Sequence, residues 1–171
     1  MTTTSAKLLI DGFGRVREGV HGVLDGLAPE ELTWRGEDGG ANSIGWLVWH
    51  LARVQDCQVA DVAGLPEVWH AQGWQKDFAL PYPADANGYG ASSTEVGAFS
   101  APAGKLTGYY DAVHEQTVGY LRTLHEKDYA RVVDDAWDPP VTLGVRLVSI
   151  LDDDLQHVGQ AAFVQGALAR R

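Results

Sequence analysis

Residues 142–168 read TLGVRLVSILDDDLQHVGQAAFVQGAL, the longest run in the chain in which apolar residues recur at steps of three and four. That spacing is the period of an α-helix with one buried face. The run therefore predicts a long last helix, which Thr142 opens. The residues on its expected buried stripe are Leu143, Leu147, Ile150, His157, Ala161, Val164 and Leu168.

Three earlier runs have the same helical period. They extend over roughly Ala6–Leu27, from Ser43 for about twenty residues until Pro66 stops the run, and from Ser100 to about Leu124. No segment shows the alternation of apolar and polar residues that a half-buried strand requires. The sequence therefore predicts an all-α fold, most simply a four-helix bundle.

Several residues predict where these helices begin. Asn42 is expected to be the N-cap of the second helix and Ser100 that of the third, with Pro102 in the first turn. A single helical turn is expected at residues 29–32, which read PEEL and begin with proline. The polar, glycine-rich residues 36–41 are expected to form a loop.

The segment between the second and third helices, residues 65–100, is predicted to be a long irregular loop. It is rich in proline and glycine, but it also carries many aromatic side chains. Long ordered loops in compact domains often carry function, although a lid without chemistry remains the alternative. A second loop is expected at residues 134–140. The aromatic residues of the long loop are Trp69, Trp74, Tyr82, Tyr89 and Phe99.

Composition limits the classes of protein to consider. A length of 171 residues fits one domain over residues 1–171. The net charge of −10 disfavours nucleic acid as a partner. No apolar run reaches the length of about 18 residues that a membrane span needs, and the N-terminal residues show no secretory signal. A single cysteine fits a reducing compartment, so a cytoplasmic location is expected.

The chain lacks the common signatures of catalytic sites. It contains no GxGxxG after a strand, no phosphate-binding loop, no HExxH and no CxxC. Cys57 lies in the middle of the second helix on an apolar face, where cysteines are usually inert. We therefore expect no nucleophile supplied by the protein.

Two of the six histidines stand out. His21, His114 and His125 lie beside polar residues and are expected to be solvated, whereas His70 in the aromatic loop cannot be placed. His50 and His157 lie on predicted buried faces of the second and last helices, and their neighbours are mostly apolar. Those two are therefore the candidates for a site between helices.

The run Asp152-Asp153-Asp154 lies in the middle of the last helix, just before His157. At 100° per residue, Asp153 lies about 40° from His157, and Asp154 lies about 60° away on the other side. A carboxylate near a core is costly unless it is paired or bound to a cation. His50, Asp153 and His157 would form a three-ligand site with open positions. An acidic turn on a solvated face beside two core histidines is the alternative, and spacing alone does not decide between them.

The segment His157-Val158-Gly159-Gln160-Ala161-Ala162-Phe163 resembles the end of the last helix in the DinB-like superfamily of metal-binding four-helix bundles. In that superfamily a ligand, often His or Glu, precedes this histidine by four residues, and here the position holds Asp153. The segment SIGWLVWHL at residues 43–51 resembles the context of the third ligand, His50. The resemblance covers essentially the whole chain. It implies a divalent ion, with zinc as the expected metal, bound by His50, Asp153 and His157; it leaves open whether Asp154 shares or replaces Asp153.

The superfamily includes thiol S-transferases that use mycothiol, bacillithiol or glutathione, and isomerases of maleylpyruvate that use mycothiol. The ending HVGQAAFVQGAL, residues 157–168, is similar to the actinobacterial mycothiol S-transferase branch. The resemblance thus implies transfer of mycothiol to a small electrophile in detoxification. The metal-bound thiolate would be the nucleophile, and no catalytic residue beyond the metal ligands would be needed. The electrophile is expected to dock against the aromatic loop at Trp69, Trp74 or Tyr82.

The resemblance leaves other functions open. One is a metal-dependent hydrolase or isomerase that uses the same three ligands and a metal-bound water. Another is a stress-linked metal-binding protein without catalytic activity. A homodimer is expected by resemblance only.

Overall fold

The computed structural model describes residues 2–171, and four long helices dominate it. The prediction of an all-α fold is confirmed, apart from one 3₁₀ turn at residues 126–130 and two very short strands. The helices are, in chain order, α1 (Thr4–Leu24), α2 (Pro29–Leu32), α3 (Ile44–Ala63), α4 (Val68–Ala71), α5 (Trp74–Phe78), α6 (Ser93–Gly97), α7 (Ala103–Thr123) and α8 (Leu143–Leu168). The strands are β1 (Val132–Asp134) and β2 (Val141–Thr142).

The four long helices pack as a ring in the order α1, α8, α3, α7. Both α1 and α3 contact α7 and α8 extensively, and the most extensive contact joins α3 to α8. The core lies between them, and its largest fully buried side chains include Trp49, Tyr109 and Tyr110. The packing of α3 on α8 determines which of their side chains can meet.

Two predicted helix starts were wrong. Ser43, not Asn42, is the N-cap of α3, because its hydroxyl accepts a hydrogen bond from the backbone N–H of Trp46. Pro102, not Ser100, occupies the N-cap position of α7 and makes no side-chain cap. Thr142 begins the last helix, as predicted. It is the N-cap of α8, and its hydroxyl accepts a hydrogen bond from the backbone N–H of Val145. The single turn expected at residues 29–32 is present as α2.

The aromatic segment between α3 and α7 is more regular than predicted. It contains the short helices α4, α5 and α6, which span only four or five residues each. Such short helices leave no periodic pattern to detect. Residues 79–92 have neither helix nor strand, so the prediction of a loop holds for them.

The second predicted loop is the tip of a small hairpin. Strands β1 and β2 pair antiparallel, with Val132 opposite Thr142, and residues 135–140 connect them. Trp137 at this tip is exposed. Strands of two and three residues are too short for alternation to be visible, which is why they were not predicted. Among residues 2–171, no helix is both long enough and apolar enough to cross a bilayer.

Candidate metal centre

His50 lies on α3, where its side chain is almost fully buried. The ring of Trp46, one turn earlier, stacks on the imidazole with centroids 4.8 Å apart. The imidazole Nδ1 lies 2.6 Å from the backbone oxygen of Asn87. A carbonyl oxygen can only accept a hydrogen bond, so Nδ1 carries the proton. The Nε2 atom of His50 is therefore left with a free lone pair.

Asp153 and His157 lie one turn apart on α8. The Nδ1 atom of His157 is 2.9 Å from Oε1 of Gln160, one turn further along. With the amide oxygen as acceptor, the ring proton again sits on Nδ1. The Nε2 atom of His157 lies 3.6 Å from Oδ1 of Asp153. In their neutral forms both histidines thus leave Nε2 available to a metal.

The packing of α3 against α8 brings the three predicted ligands together. One ligand atom each from His50, Asp153 and His157 lies within 4.8 Å of the others. In a tetrahedral site with Zn–N bonds of about 2.1 Å, two ligand atoms lie about 3.4 Å apart. Closing the cluster around an ion therefore needs the widest pair of ligand atoms to approach by up to about 1.4 Å.

The chemistry of the cluster fits a divalent ion. The Oδ2 atom of Asp153 is buried and has no hydrogen-bond partner among residues 2–171. Burial of an unpartnered carboxylate oxygen is costly, and coordination to a cation would remove that cost. Each histidine has its second nitrogen held by an oxygen acceptor, which is the usual arrangement around metal-ligating histidines. The residues present could thus hold a metal ion.

Proton binding at the cluster follows from its geometry. The contact of His157 Nε2 with Asp153 Oδ1 lowers the pKa of the Asp153 carboxyl, and the same contact raises the pKa of His157. Burial lowers the pKa of His50, and the nearby His157 adds to this effect. When His157 is protonated, its second proton lies on Nε2 beside Asp153, and a bound ion must displace that proton.

The other two aspartates of the run lie elsewhere. Asp154 is fully buried, and neither of its carboxylate oxygens has a hydrogen-bond partner among the described residues. Burial raises its pKa well above the ordinary value, and the neighbouring Asp153 adds to this. Asp152 is exposed and accepts a hydrogen bond from Gln156. The structure brings Asp153, and not Asp152 or Asp154, to the two histidines.

The remaining histidines lie outside this cluster. His21 is partly exposed and lies 2.8 Å from Asp111, and His125 is exposed, both as predicted. His70 is exposed on α4. The prediction of a solvated His114 was wrong, because its ring is half-buried against Tyr110 and its Nε2 is buried without a hydrogen-bond partner in the described part of the chain. Burial accordingly lowers the pKa of His114.

Cys57 has the environment of an inert thiol. It is half-buried, and its Sγ donates to the backbone oxygen of Val54. Burial raises the pKa of the thiol, which lowers the fraction of reactive thiolate. The side chain of Asn87 donates to the Cys57 sulfur at 3.8 Å.

A cavity of about 290 Å³ lies between α3 and the loop of residues 82–91. The cavity lies beside the Nδ1 side of His50, because Trp46, Asn87 and Gly88 line the cavity and also surround the His50 ring. Gly88 has φ +90°, and a Cβ there would lie 2.7 Å from Nδ1 of His50. Of the described residues, no lysine, arginine or histidine lines the cavity. Its aromatic and acidic lining residues are Trp46, Trp49, Tyr82, Tyr89, Asp85 and Glu95.

The three loop aromatics expected to meet an electrophile have different positions. Tyr82 lines the cavity, and its hydroxyl donates to the backbone oxygen of Glu95 at 2.6 Å. Burial raises the pKa of Tyr82 to about 12. Trp69 is a core residue, and Trp74 packs on Tyr109 away from the cavity.

Asn87 and Gln160 were not predicted as part of the site. Asn87 acts through its backbone oxygen, which no side-chain pattern reveals. Gln160 lies three residues after His157 on the same face of α8. That spacing could have indicated a contact between the two side chains.

Comparison with known proteins agrees with this architecture. The family model described as the DinB superfamily matches residues 13–161. A similar solved structure is the crystal structure of the conserved protein of locus from Enterococcus faecalis, with 29% sequence identity and a TM-score of 0.90. The alignment covers 100% of this chain and 99% of that one. No curated protein matches the chain.

Proposed function

The chain belongs to the DinB superfamily, and on that basis we propose that it is a divalent-metal-dependent thiol S-transferase that conjugates mycothiol to small electrophiles. The observation that carries this proposal is the cluster of His50, Asp153 and His157, whose ligand atoms lie within 4.8 Å of one another. The choice of mycothiol rests on the similarity of residues 157–168 to the mycothiol-dependent branch.

The protein side chains prepare the site for a cation with open positions. His50 and His157 present Nε2 atoms whose tautomer is set by Asn87 and Gln160. Asp153 contributes one negative charge, so a divalent ion with these ligands keeps a net positive charge that attracts an anionic sulfur. A divalent ion bound there supplies a Lewis acid beside which a thiol readily loses its proton. Three protein ligands leave room for that thiol.

The absence of a candidate protein nucleophile supports a thiol cosubstrate. Cys57 is half-buried, with a raised pKa, and it is not among the residues of the cluster. A site that activates an incoming thiol needs no cysteine of its own. The thiolate then attacks the electrophilic carbon, forming a C–S bond as the leaving group departs with its electron pair.

We assign the body of the thiol to the cavity on the Nδ1 side of His50, which none of the three ligands lines. Among residues 2–171 this cavity is lined by Asp85 and Glu95 and by no cationic side chain, a charge that favours a thiol without carboxylates. Glutathione and bacillithiol carry carboxylates, which this lining would repel. Mycothiol is a pseudo-disaccharide thiol, and its hydroxyl groups can hydrogen-bond to carboxylates while its rings pack on the aromatic side chains.

Turnover of a halobimane by the metal-reconstituted protein tests the proposal. We would compare mycothiol, bacillithiol and glutathione from about pH 6 to about pH 9, against the metal-free protein and His50→Ala. We expect metal-dependent turnover with mycothiol, slow turnover with the other two, and a rate that plateaus at lower pH than the uncatalysed reaction. A rate no greater than background with all three thiols, in protein that retains its metal, would contradict the transferase and favour a metal-binding protein without catalysis.

A further inference from the structure

We propose that Arg53 is a positioning residue for the metal centre, because its guanidinium fixes the loop whose backbone oxygen orients His50. This inference rests on the proposed metal site. It concerns a residue that is not itself a ligand and lies one helical turn after His50 on α3.

Arg53 is buried at the junction of α3, α4 and the loop of residues 79–92, with 1% of its surface exposed. Its Nε donates to the backbone oxygen of Ala86 at 3.1 Å. Its Nη1 donates to Glu67 at 2.9 Å and to the hydroxyl of Tyr109 at 3.3 Å. The guanidinium also lies over the ring of Trp69 at 5.0 Å.

The charge of Arg53 is held in place by Asp56, which is equally buried. An oxygen of Asp56 lies 3.5 Å from Nη1 of Arg53. Asp56 also accepts hydrogen bonds at 2.8 Å from the backbone N–H groups of Val68 and Trp69 and from the hydroxyl of Tyr109. A buried charge with this many fixed partners has one orientation, so its Nε is a fixed donor.

The loop depends on side chains for its position, because residues 79–92 form no helix or strand. Three of its carbonyl oxygens accept hydrogen bonds from side chains. Trp69 Nε1 donates to Ala84 at 2.9 Å, Arg53 to Ala86, and His50 Nδ1 to Asn87. The oxygens of Ala86 and Asn87 are consecutive along the chain, so the bond from Arg53 fixes the peptide adjoining the one that holds His50.

Loss of the Arg53 donor would release the oxygen of Asn87 from its fixed position. The imidazole of His50 could then carry its proton on Nε2, the form that cannot bind a metal through that atom. Hydrogen-bond partners of metal-ligating histidines typically contribute about 10- to 100-fold in metal affinity.

The variant Arg53→Lys tests this inference. A lysine keeps a positive charge beside Asp56 and Glu67 but has no planar fork that can also reach Ala86. The primary measurement is ¹⁵N NMR of the His50 ring in the metal-free protein, which distinguishes the two tautomers. We expect a single Nδ1–H tautomer in the unmodified protein and a mixture in Arg53→Lys. Zinc affinity, measured by competition with a chromophoric chelator, should fall about 10- to 100-fold.

Glu67→Gln is the matched control. It also changes a hydrogen-bond partner of Arg53, but it leaves the bond from Nε to Ala86 in place. We expect the His50 tautomer to be unchanged and the zinc affinity to stay within about twofold, because the orientation of the ligand is preserved. A general loss of stability would affect both variants, whereas the proposed role affects only Arg53→Lys.

An unchanged tautomer in folded Arg53→Lys would overturn the inference. If Arg53→Lys fails to fold, the double variant Arg53→Met with Asp56→Asn removes the same donor to Ala86 together with the buried charge beside it. A tautomer mixture in that double variant would then support the inference, and a single Nδ1–H tautomer would overturn it. If the unmodified protein binds no zinc, the proposed function fails, while the tautomer comparison still decides the role of Arg53.

Discussion

Asp153 and Asp154 are adjacent in the chain, yet their replacement by asparagine should have different effects on zinc affinity and on stability. Asp153 lies 3.6 Å from Nε2 of His157 and has a buried oxygen without a hydrogen-bond partner within residues 2–171. Asp154 is buried in the core and does not belong to the cluster. Asparagine has nearly the same volume as aspartate, so each change removes an ionisable carboxyl group with little effect on packing.

The expected loss of metal affinity follows from these positions. Removal of a hydrogen-bond partner of a ligand typically costs about 10- to 100-fold, so removal of a charged ligand should cost at least about 100-fold. At about 1.4 kcal/mol per tenfold, this is a loss of at least about 2.8 kcal/mol of binding free energy for Asp153→Asn. Asp154→Asn should change the affinity by less than about tenfold.

The two variants should also differ in the stability of the metal-free protein. Burial raises the pKa of Asp154 in the folded state above its unfolded value. The folded state therefore binds this proton more tightly, and stability is lost as the pH rises above the unfolded pKa of about 3.9. While the folded carboxyl stays protonated, the loss is about 1.4 kcal/mol per pH unit. Asp154→Asn should therefore be more stable than the unmodified protein at neutral pH, and the gain should vanish near pH 4.

Zinc titration and urea unfolding of metal-free protein provide the assay. The first gives the zinc affinity of each variant, and the second gives the free energy of unfolding near pH 4 and near pH 7. Equal losses of zinc affinity would mean that both aspartates are ligands. A larger loss in Asp154→Asn would refute the assignment of Asp153.

Three further changes and one condition test other parts of the structure. Cys57→Ser should leave thiol-transfer turnover within about twofold, because the thiol is not the nucleophile; a steady-state rate checks this. Ser43→Ala should lower the free energy of unfolding by about 1 kcal/mol through loss of the α3 N-cap, measured by chemical denaturation. Gly88→Ala should weaken zinc binding, because its Cβ would lie 2.7 Å from Nδ1 of His50; calorimetric titration measures this. Zinc affinity should fall by up to about tenfold per pH unit below the raised pKa of His157, since one proton must leave, and a pH series of titrations would show it.

The sequence predicts well what depends on one helix. Asp153 and His157 share a face of α8 because they are four residues apart, and the apolar stripe places that face toward the bundle. The approach of His50 depends on the packing of α3 against α8, which spacing within either helix does not reveal. The resemblance to a known family was therefore needed to predict that His50 joins Asp153 and His157.

The loop over His50 is the part that the sequence could not predict. Its position depends on backbone oxygens that accept from Trp69, Arg53 and His50, and a backbone oxygen has no residue-type signature. The sequence also did not indicate that Arg53 and Asp56 are buried, because charged residues in a helix are ordinarily exposed to solvent. Their burial depends on each other and on Tyr109 from a distant helix.

The metal content of purified protein tests the central claim most directly. Elemental analysis after zinc loading and gel filtration would compare the unmodified protein with His50→Ala, His157→Ala and the control His21→Ala. The cluster predicts about one zinc ion per chain in the unmodified protein and in His21→Ala, and little or none in the other two variants. Equal zinc in all four proteins, or no zinc in the unmodified protein, would contradict a metal centre at His50, Asp153 and His157.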